Sequence, residues 1–202
     1  TGKGGAGMNC ERWQILTPTR SRVFGTVELN RHIKRTLRTV DLEKSRRWRG
    51  WRNPAPIGPE LIVRGDKVMQ TRNDSHATAW PKGSGTDYVA NGDIGVVVGE
   101  WSSAGRKLWA RVEFASQPGA TYSYRSSSSD DQPLELAWAV TVHKSQGSEF
   151  GLTILVLPRR ARVSRELLYT ALTRQTERVV ILQEGTIDDL VRLASPALSE
   201  TA

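Results

Sequence analysis

Residues 141–157 read TVHKSQGSEFGLTILVL, and the order of their chemistry decides the fold. The run from Leu152 to Leu157 is unbroken and apolar, the pattern of a strand covered on both faces, which belongs to parallel sheets flanked by helices. The stretch before it, Thr141 to Phe150, is polar, and loops bordering such strands are where α/β sheets carry their sites. Lysine and hydroxyls suit phosphate oxygens, glutamine and glutamate suit sugar hydroxyls, and glycine lets the backbone approach closely. Downstream, Ser164 can cap a helix whose apolar face is Leu167, Leu168, Ala171 and Leu172, and which ends on Thr173 and Arg174. Arg178–Leu182 (RVVIL) supplies a second buried strand, and Thr186 with Asp189 makes a capping box ahead of Leu190 and Val191.

Upstream, Trp13–Leu16 (WQIL) is a short strand closed by the turn Thr17-Pro18-Thr19. Leu29, Ile33, Leu37 and Val40 then recur at helical spacing, which predicts one apolar stripe with Arg31, Lys34, Arg35 and Arg38 on the remaining surface. Residues 46–57 are broken by Gly50, Pro54 and Pro56 and read as an exposed loop. Between Leu61 and Leu136 the pattern changes to short strand segments (LIV, KVMQT, IGVVVGE, KLWARVEF, TYSY, PLEL) separated by turns, which predicts a small β-barrel. The polar stretches Ser75–Thr86 and Ser126–Asp131 read as mobile loops of that unit. The opening TGKGGAG (1–7) has the glycine spacing of a phosphate loop, but Met8 and Asn9 follow where Lys and Ser/Thr are needed. Residues 1–11 are therefore expected to be a linker, residues 12–60 and 137–202 one α/β domain, and residues 61–136 a β-barrel inserted into it.

The chain has 202 residues and one cysteine, Cys10, which excludes a disulfide scaffold and a Cys-rich metal cluster. No apolar run is long enough to span a membrane and no charged start leads into an apolar stretch, so the expected setting is cytoplasmic, with no membrane partner. Lys and Arg number 29 against 21 Asp and Glu, for a net charge of +8. Residues 31–52 hold nine of the basic residues and two acidic ones, a density that suits a polyanion, nucleic acid first, although a solvated surface segment has the same look. Within it, Trp48 and Trp51 sit among Arg47, Arg49 and Arg52. They either stack bases or anchor a loop.

TVHKSQGSEF (141–150), followed by LLYTALTR (167–174) and RVVIL, resembles motifs V and VI of superfamily 1 helicases of the RecD-like branch. ILTPTR (15–20) with GTVELN (25–30) resembles motif IV, and GDKVMQTRND (65–74) with NGDIGVV (91–97) resembles the connection into that family's inserted barrel. The resemblance implies an α/β fold: a RecA-like parallel-sheet domain of the P-loop NTPase type carrying an SH3-like β-barrel insertion. It implies the C-terminal motor half of an ATP-dependent DNA helicase. ATP with Mg²⁺ would bind between this domain and an N-terminal RecA-like domain of the same polypeptide, which would hold the metal ligands. No metal site is expected on these residues, and the chain alone is not expected to hydrolyse ATP.

Carried over by motif, the resemblance makes Arg174 the arginine finger, with Gln146, Gly147, Glu149 and Arg20 facing the nucleotide. Thr17, Pro18, Thr19, Thr141, His143, Lys144 and Ser145 would contact single-stranded DNA, and Arg47, Trp48, Arg49 and Trp51 join them on charge and stacking grounds. Two other readings share these residues. A degenerate helicase domain could act as a stand-alone nucleic-acid-binding module, but it would need no arginine finger. A viral-type RNA helicase uses similar motifs V and VI, and the inserted barrel favours the DNA enzymes.

Overall fold

The structure is a computed structural model that describes residues 5–47, 56–103, 106–125, 133–159, 161 and 163–194. The chain forms two compact units, one made of Arg12–Asn30 and Trp138–Ala202, the other of Thr1–Glu11 and Arg31–Ala137.

The first unit is built on a parallel four-stranded sheet of β1 (Trp13–Thr17), β7 (Ala139–Thr141), β8 (Phe150–Leu157) and β9 (Gln175–Gln183), in the order β7-β1-β8-β9. Leu16 and Leu155, opposite one another in the register, are fully buried at its centre. Helix α3 (Arg165–Leu172) starts at Ser164, whose hydroxyl accepts from the Leu167 N–H at 3.2 Å. Leu168 and Ala171 form its buried face. Helix α4 (Ile187–Ala194) starts on the expected reciprocal cap: Thr186 N–H donates to the Asp189 carboxylate at 2.8 Å, and Asp189 N–H to the Thr186 hydroxyl at 3.3 Å. The expected burial of RVVIL is corrected. β9 is the sheet edge, with Leu182 at 54 % exposure, because in the described residues it pairs with β8 alone.

The second unit holds an antiparallel sheet in the order β5-β4-β3-β2-β6, from β2 (Lys67–Gln70), β3 (Ile94–Ser103), β4 (Arg106–Phe114), β5 (Tyr122–Arg125) and β6 (Leu134–Leu136). Its core is Val68, Val97, Val112, Phe114 and Tyr122, with the rings of Phe114 and Tyr122 5.8 Å apart. The segment LIV makes only an isolated bridge, Ile57 to Ile62. Two expected boundaries move. Residues 6–12 are a 3₁₀ helix with Gly7 and Cys10 buried, not a linker, and a Cβ on Gly7 would stand 2.9 Å from the Phe114 carbonyl. Residues 31–60 also belong with this sheet, because Lys34 and Arg38 pair with the fully buried Asp66 and the Glu60 carboxylate accepts from the Leu136 N–H.

Helices α1 (Thr26–Leu37) and α2 (Thr39–Arg47) differ from the expected stripe as well. Leu37 and Val40 are exposed, whereas Asn30 and Lys34 are buried. A carboxylate inside the fold turned the helix, since Asp66 accepts from Lys34, from Arg38 Nε at 3.1 Å and from the Val63 N–H at 2.8 Å.

Candidate functional site

Strands β1 and β7 run side by side, with Thr17 opposite Thr141 and the Val142 N–H donating to the Thr17 carbonyl at 3.2 Å. The turn at Pro18 and the loop from Thr141 therefore leave the sheet together at its C-terminal edge. The turn is tight: a Cβ on Gly25 would stand 2.5 Å from the Arg20 carbonyl, and Phe24 has φ 57°. Glu28 holds it against the start of α1 by accepting from the Phe24 N–H at 2.7 Å. Arg20 is exposed and Pro18 and Thr19 are half-buried. Thr17 is fully buried and its hydroxyl donates to the Phe24 carbonyl at 3.0 Å. It shapes the turn and offers no hydroxyl to a ligand.

The loop from Thr141 begins as a 3₁₀ turn over His143–Ser145. The Thr141 hydroxyl accepts from the Lys144 N–H at 3.3 Å, and the buried Ser145 hydroxyl donates to the Val142 carbonyl at 2.8 Å. Ser145, like Thr17, is thus used inside the fold, while His143 stands exposed and Lys144 half-buried. Gln146 leaves the turn in extended backbone, and Gly147 takes φ +88°, a conformation that side chains other than hydrogen rarely adopt. Gln146, Gly147 and Glu149 are all exposed.

This loop crosses the sheet. Thr141 is level with Thr17, whereas Leu152 is level with Trp13 at the other end of β1, and Phe150 lies further back still. At ~3.3 Å per residue, the chain returns roughly 20 Å, from the C-terminal ends of the strands to their N-terminal ends. Its far end meets Arg174, which follows the C-cap of α3. The Arg174 carbonyl accepts from the Phe150 N–H at 2.8 Å. Its guanidinium donates to the carbonyls of Thr170 at 3.1 Å and Ser148 at 3.3 Å, and to the Thr173 hydroxyl at 3.3 Å. All three acceptors are neutral, and among the described residues no carboxylate pairs with Arg174, so its charge is uncompensated.

Of the remaining expected residues, Trp48, Arg49 and Trp51 lie outside the described residues, and Arg47 ends α2 with its side chain outside them. Two residues that sequence reading gave no role hold the strand leading into the loop. Asn30 bonds the Ala139 backbone twice, donating to its carbonyl and accepting from its N–H, each at 2.9 Å. Gln14, fully buried on β1, donates to the Trp138 carbonyl at 2.9 Å. Gln14 shares its strand face with the apolar Leu16, which is a signal the sequence carries, whereas Asn30 lies on a buried helix face with Thr26 and Lys34 that hydrophobic patterning does not mark. Among the described residues no group of His, Cys, Asp and Glu gathers as metal ligands, and no helix is long and apolar enough to cross a membrane.

Residues 136–182, which span this loop, α3 and β9, match the model of the UvrD-like helicase C-terminal domain. Over these residues the chain is similar to the C-terminal domain of UvrD-like helicases. An uncharacterised protein of Methanocaldococcus jannaschii is 30 % identical over 90 % of the chain and 15 % of its own length. The ATP-dependent RecD2 DNA helicase of Deinococcus radiodurans is 29 % identical over 82 % of the chain and 19 % of its own length. The chain thus spans less than a quarter of the curated relatives it matches. The crystal structure of Pif1 helicase from Candida albicans has a similar fold, with TM-score 0.50 and 16 % identity over 91 % of this chain and 47 % of that one.

Proposed function

We propose that this chain is the C-terminal motor half of an ATP-dependent, RecD-like DNA helicase, with ATP and Mg²⁺ held between it and an N-terminal RecA-like domain of the same polypeptide. The observation that carries this reading is the loop 141–149, which leaves the C-terminal ends of β1 and β7 and ends against a guanidinium that has no carboxylate partner among the described residues. The residues present fit a nucleotide. Of the five N–H groups of the Arg174 guanidinium, three donate within the fold and two are left for a ligand; the bare backbone of Gly147 has open space around it, and Gln146 and Glu149 are exposed beside it. ATP supplies the phosphoanhydride whose cleavage drives movement. Arg174 stabilises negative charge there as an arginine finger, Glu149 and Gln146 orient sugar hydroxyls, and Arg20 adds a further cation.

At the C-terminal ends of the strands, Pro18, Thr19, Thr141, His143 and Lys144 contact single-stranded DNA, with Thr17 and Ser145 fixing the backbone that presents them. The 3₁₀ turn and the Ser148–Arg174 bond belong to one short loop, so a shift of Arg174 toward phosphate is transmitted to Lys144 and His143. The strand order of the second unit supports an SH3-like insertion, because its first strand, β2, lies between its second, β3, and its last, β6. Single-stranded-DNA-stimulated ATP hydrolysis by the full-length polypeptide tests the reading. Arg174→Ala should abolish nearly all turnover with little change in KM, whereas Glu149→Ala should mainly raise KM. A turnover within about threefold of wild type in Arg174→Ala removes Arg174 from the finger role.

A further inference from the structure

The polar stretch between the strings GDKVMQTRND (65–74) and NGDIGVV (91–97) belongs to neither, and its structure is more specific than its composition. It is tied down at both ends. Asp74 and Val89 form a backbone bridge, and Trp80 and Thr121 form another, with both N–H groups donating at 2.9 Å and the Thr121 hydroxyl adding a bond to the Trp80 carbonyl at 3.1 Å. Gln117 stitches the return, accepting from the Thr86 N–H and donating to the Tyr88 carbonyl, each at 2.8 Å. The expected mobile loop is an ordered one.

Its buried anchors are small: Ala77, Ala79 and Val89 are inside. Trp80 is not an anchor, because its side chain remains 55 % exposed on a backbone held rigid from both sides. The guanidinium carbon of Arg111 lies 4.3 Å from the centroid of the indole, and Lys82 is exposed two residues further on. A large aromatic surface left in water, on a hydrogen-bonded backbone and backed by a cation, matches what unpaired bases require: a π-face to stack on and positive charge nearby for the adjoining phosphates. Grooves for proline-rich peptides also use exposed aromatics, but the guanidinium beside the ring favours a polyanion over an uncharged segment.

We propose that Trp80, backed by Arg111, is a stacking platform for a base of single-stranded nucleic acid. The choice of DNA as the strand rests on the helicase reading; the platform itself rests on the ring, its cation and its rigid backbone. The test uses the 202-residue chain without nucleotide, binding a labelled oligothymidine and, separately, an abasic sugar–phosphate oligomer of the same length. Trp80→Ala should weaken oligothymidine binding about 5- to 100-fold and leave the abasic oligomer and the salt dependence unchanged. Trp80→Leu keeps an apolar side chain without a π-face and should lose binding equally, while Trp80→Phe should retain most of it. Circular dichroism and thermal melting verify that each variant is folded. Equal losses on both oligomers, no loss on either, or a wild-type chain that does not prefer bases over the abasic backbone overturns the proposal. So does Trp80-dependent capture of a proline-rich peptide with no effect on oligothymidine. These binding readouts leave the Arg174 assignment untouched, and a failure of Arg174→Ala to reduce turnover leaves the platform untouched.

Discussion

Arg174 in the parallel-sheet unit and the pair Lys34 and Arg38 in the β-rich unit are cations withdrawn from full solvent exposure, and they differ in what faces them. Lys34 and Arg38 converge on one fully buried carboxylate, Asp66, whereas Arg174 is held by two backbone carbonyls and a hydroxyl. A cation facing its own chain's carboxylate is neutralised and becomes part of the scaffold. One oriented by neutral dipoles keeps its charge for an incoming anion. Burial still acts on Lys34: desolvation lowers its pKa below the usual lysine value, and the Asp66 carboxylate opposes that shift. The basic segment 31–52 accordingly offers fewer free cations than its composition promises, and on the described helices Arg31, Arg35 and Lys44 are the exposed ones.

The largest effect should come from breaking the uncompensated site. On the arginine-finger role proposed above, Arg174→Gln in the full-length polypeptide should reduce kcat by about 10³-fold or more, while the melting temperature of the chain stays near wild type. Steady-state kinetics alongside calorimetry separates this from a structural role. The opposite split is expected at the neutralised site. Asp66→Ala leaves Lys34 and Arg38 without their buried carboxylate and should cost about 3–5 kcal/mol of stability, read by chemical denaturation. Lys34→Met should cost less, since Arg38 and the Val63 N–H still satisfy Asp66. Equal losses in the two variants would show that the carboxylate is not the centre of the cluster.

Asn30→Ala tests a third kind of clamp, one without charge. It removes two hydrogen bonds to the Ala139 backbone and should cost about 1–3 kcal/mol, with Asn30→Asp failing to restore the donated bond. The smallest effect concerns Lys67, which is buried beside Cys10 and Glu11 and whose pKa desolvation lowers to about 8. The unfolded chain, with an ordinary lysine pKa of 10.5, binds more protons above pH 8, so stability should rise with pH there. Cys10 acts in the opposite sense from pH 9 upward, because desolvation raises its thiol from 9.0 to about 11 and the unfolded chain then ionises first. Denaturation midpoints should therefore climb between pH 8 and 9, with a slope of at most about 1.4 kcal/mol per unit, and flatten above it. Cys10→Ala should extend the climb and Lys67→Met should reduce it to the part of the same sign that Lys34 contributes, and a climb unchanged in Lys67→Met would exclude Lys67 as its source.

Features decided within a few residues were legible in the sequence. Ser164 caps α3 and Thr186 with Asp189 caps α4 as their spacing indicated, and LTILVL and WQIL are neighbouring strands of a parallel sheet. Caps and strand periodicity are local, so a short stretch of chain is enough to state them. Motif strings likewise named Arg174 and the loop before β8, and the family match covers the same region. Side-chain availability was not legible. Thr17 and Ser145 carry hydroxyls in a motif that suits phosphate, yet both are buried and bonded within the fold.

The sequence by itself determined the alternation of α/β and β-rich segments, the starts of α3 and α4, and the polar loop flanked by a buried strand. Only the tertiary structure decided that β9 is an edge, that the 141–149 loop runs back from the C-terminal to the N-terminal ends of the strands, and that Lys34 faces Asp66. Each of those depends on pairing between segments far apart in the chain, such as β1 with β7 and α1 with Asp66. Hydrophobic periodicity records that a residue has a buried side; it does not record which strand, carboxylate or carbonyl will cover it.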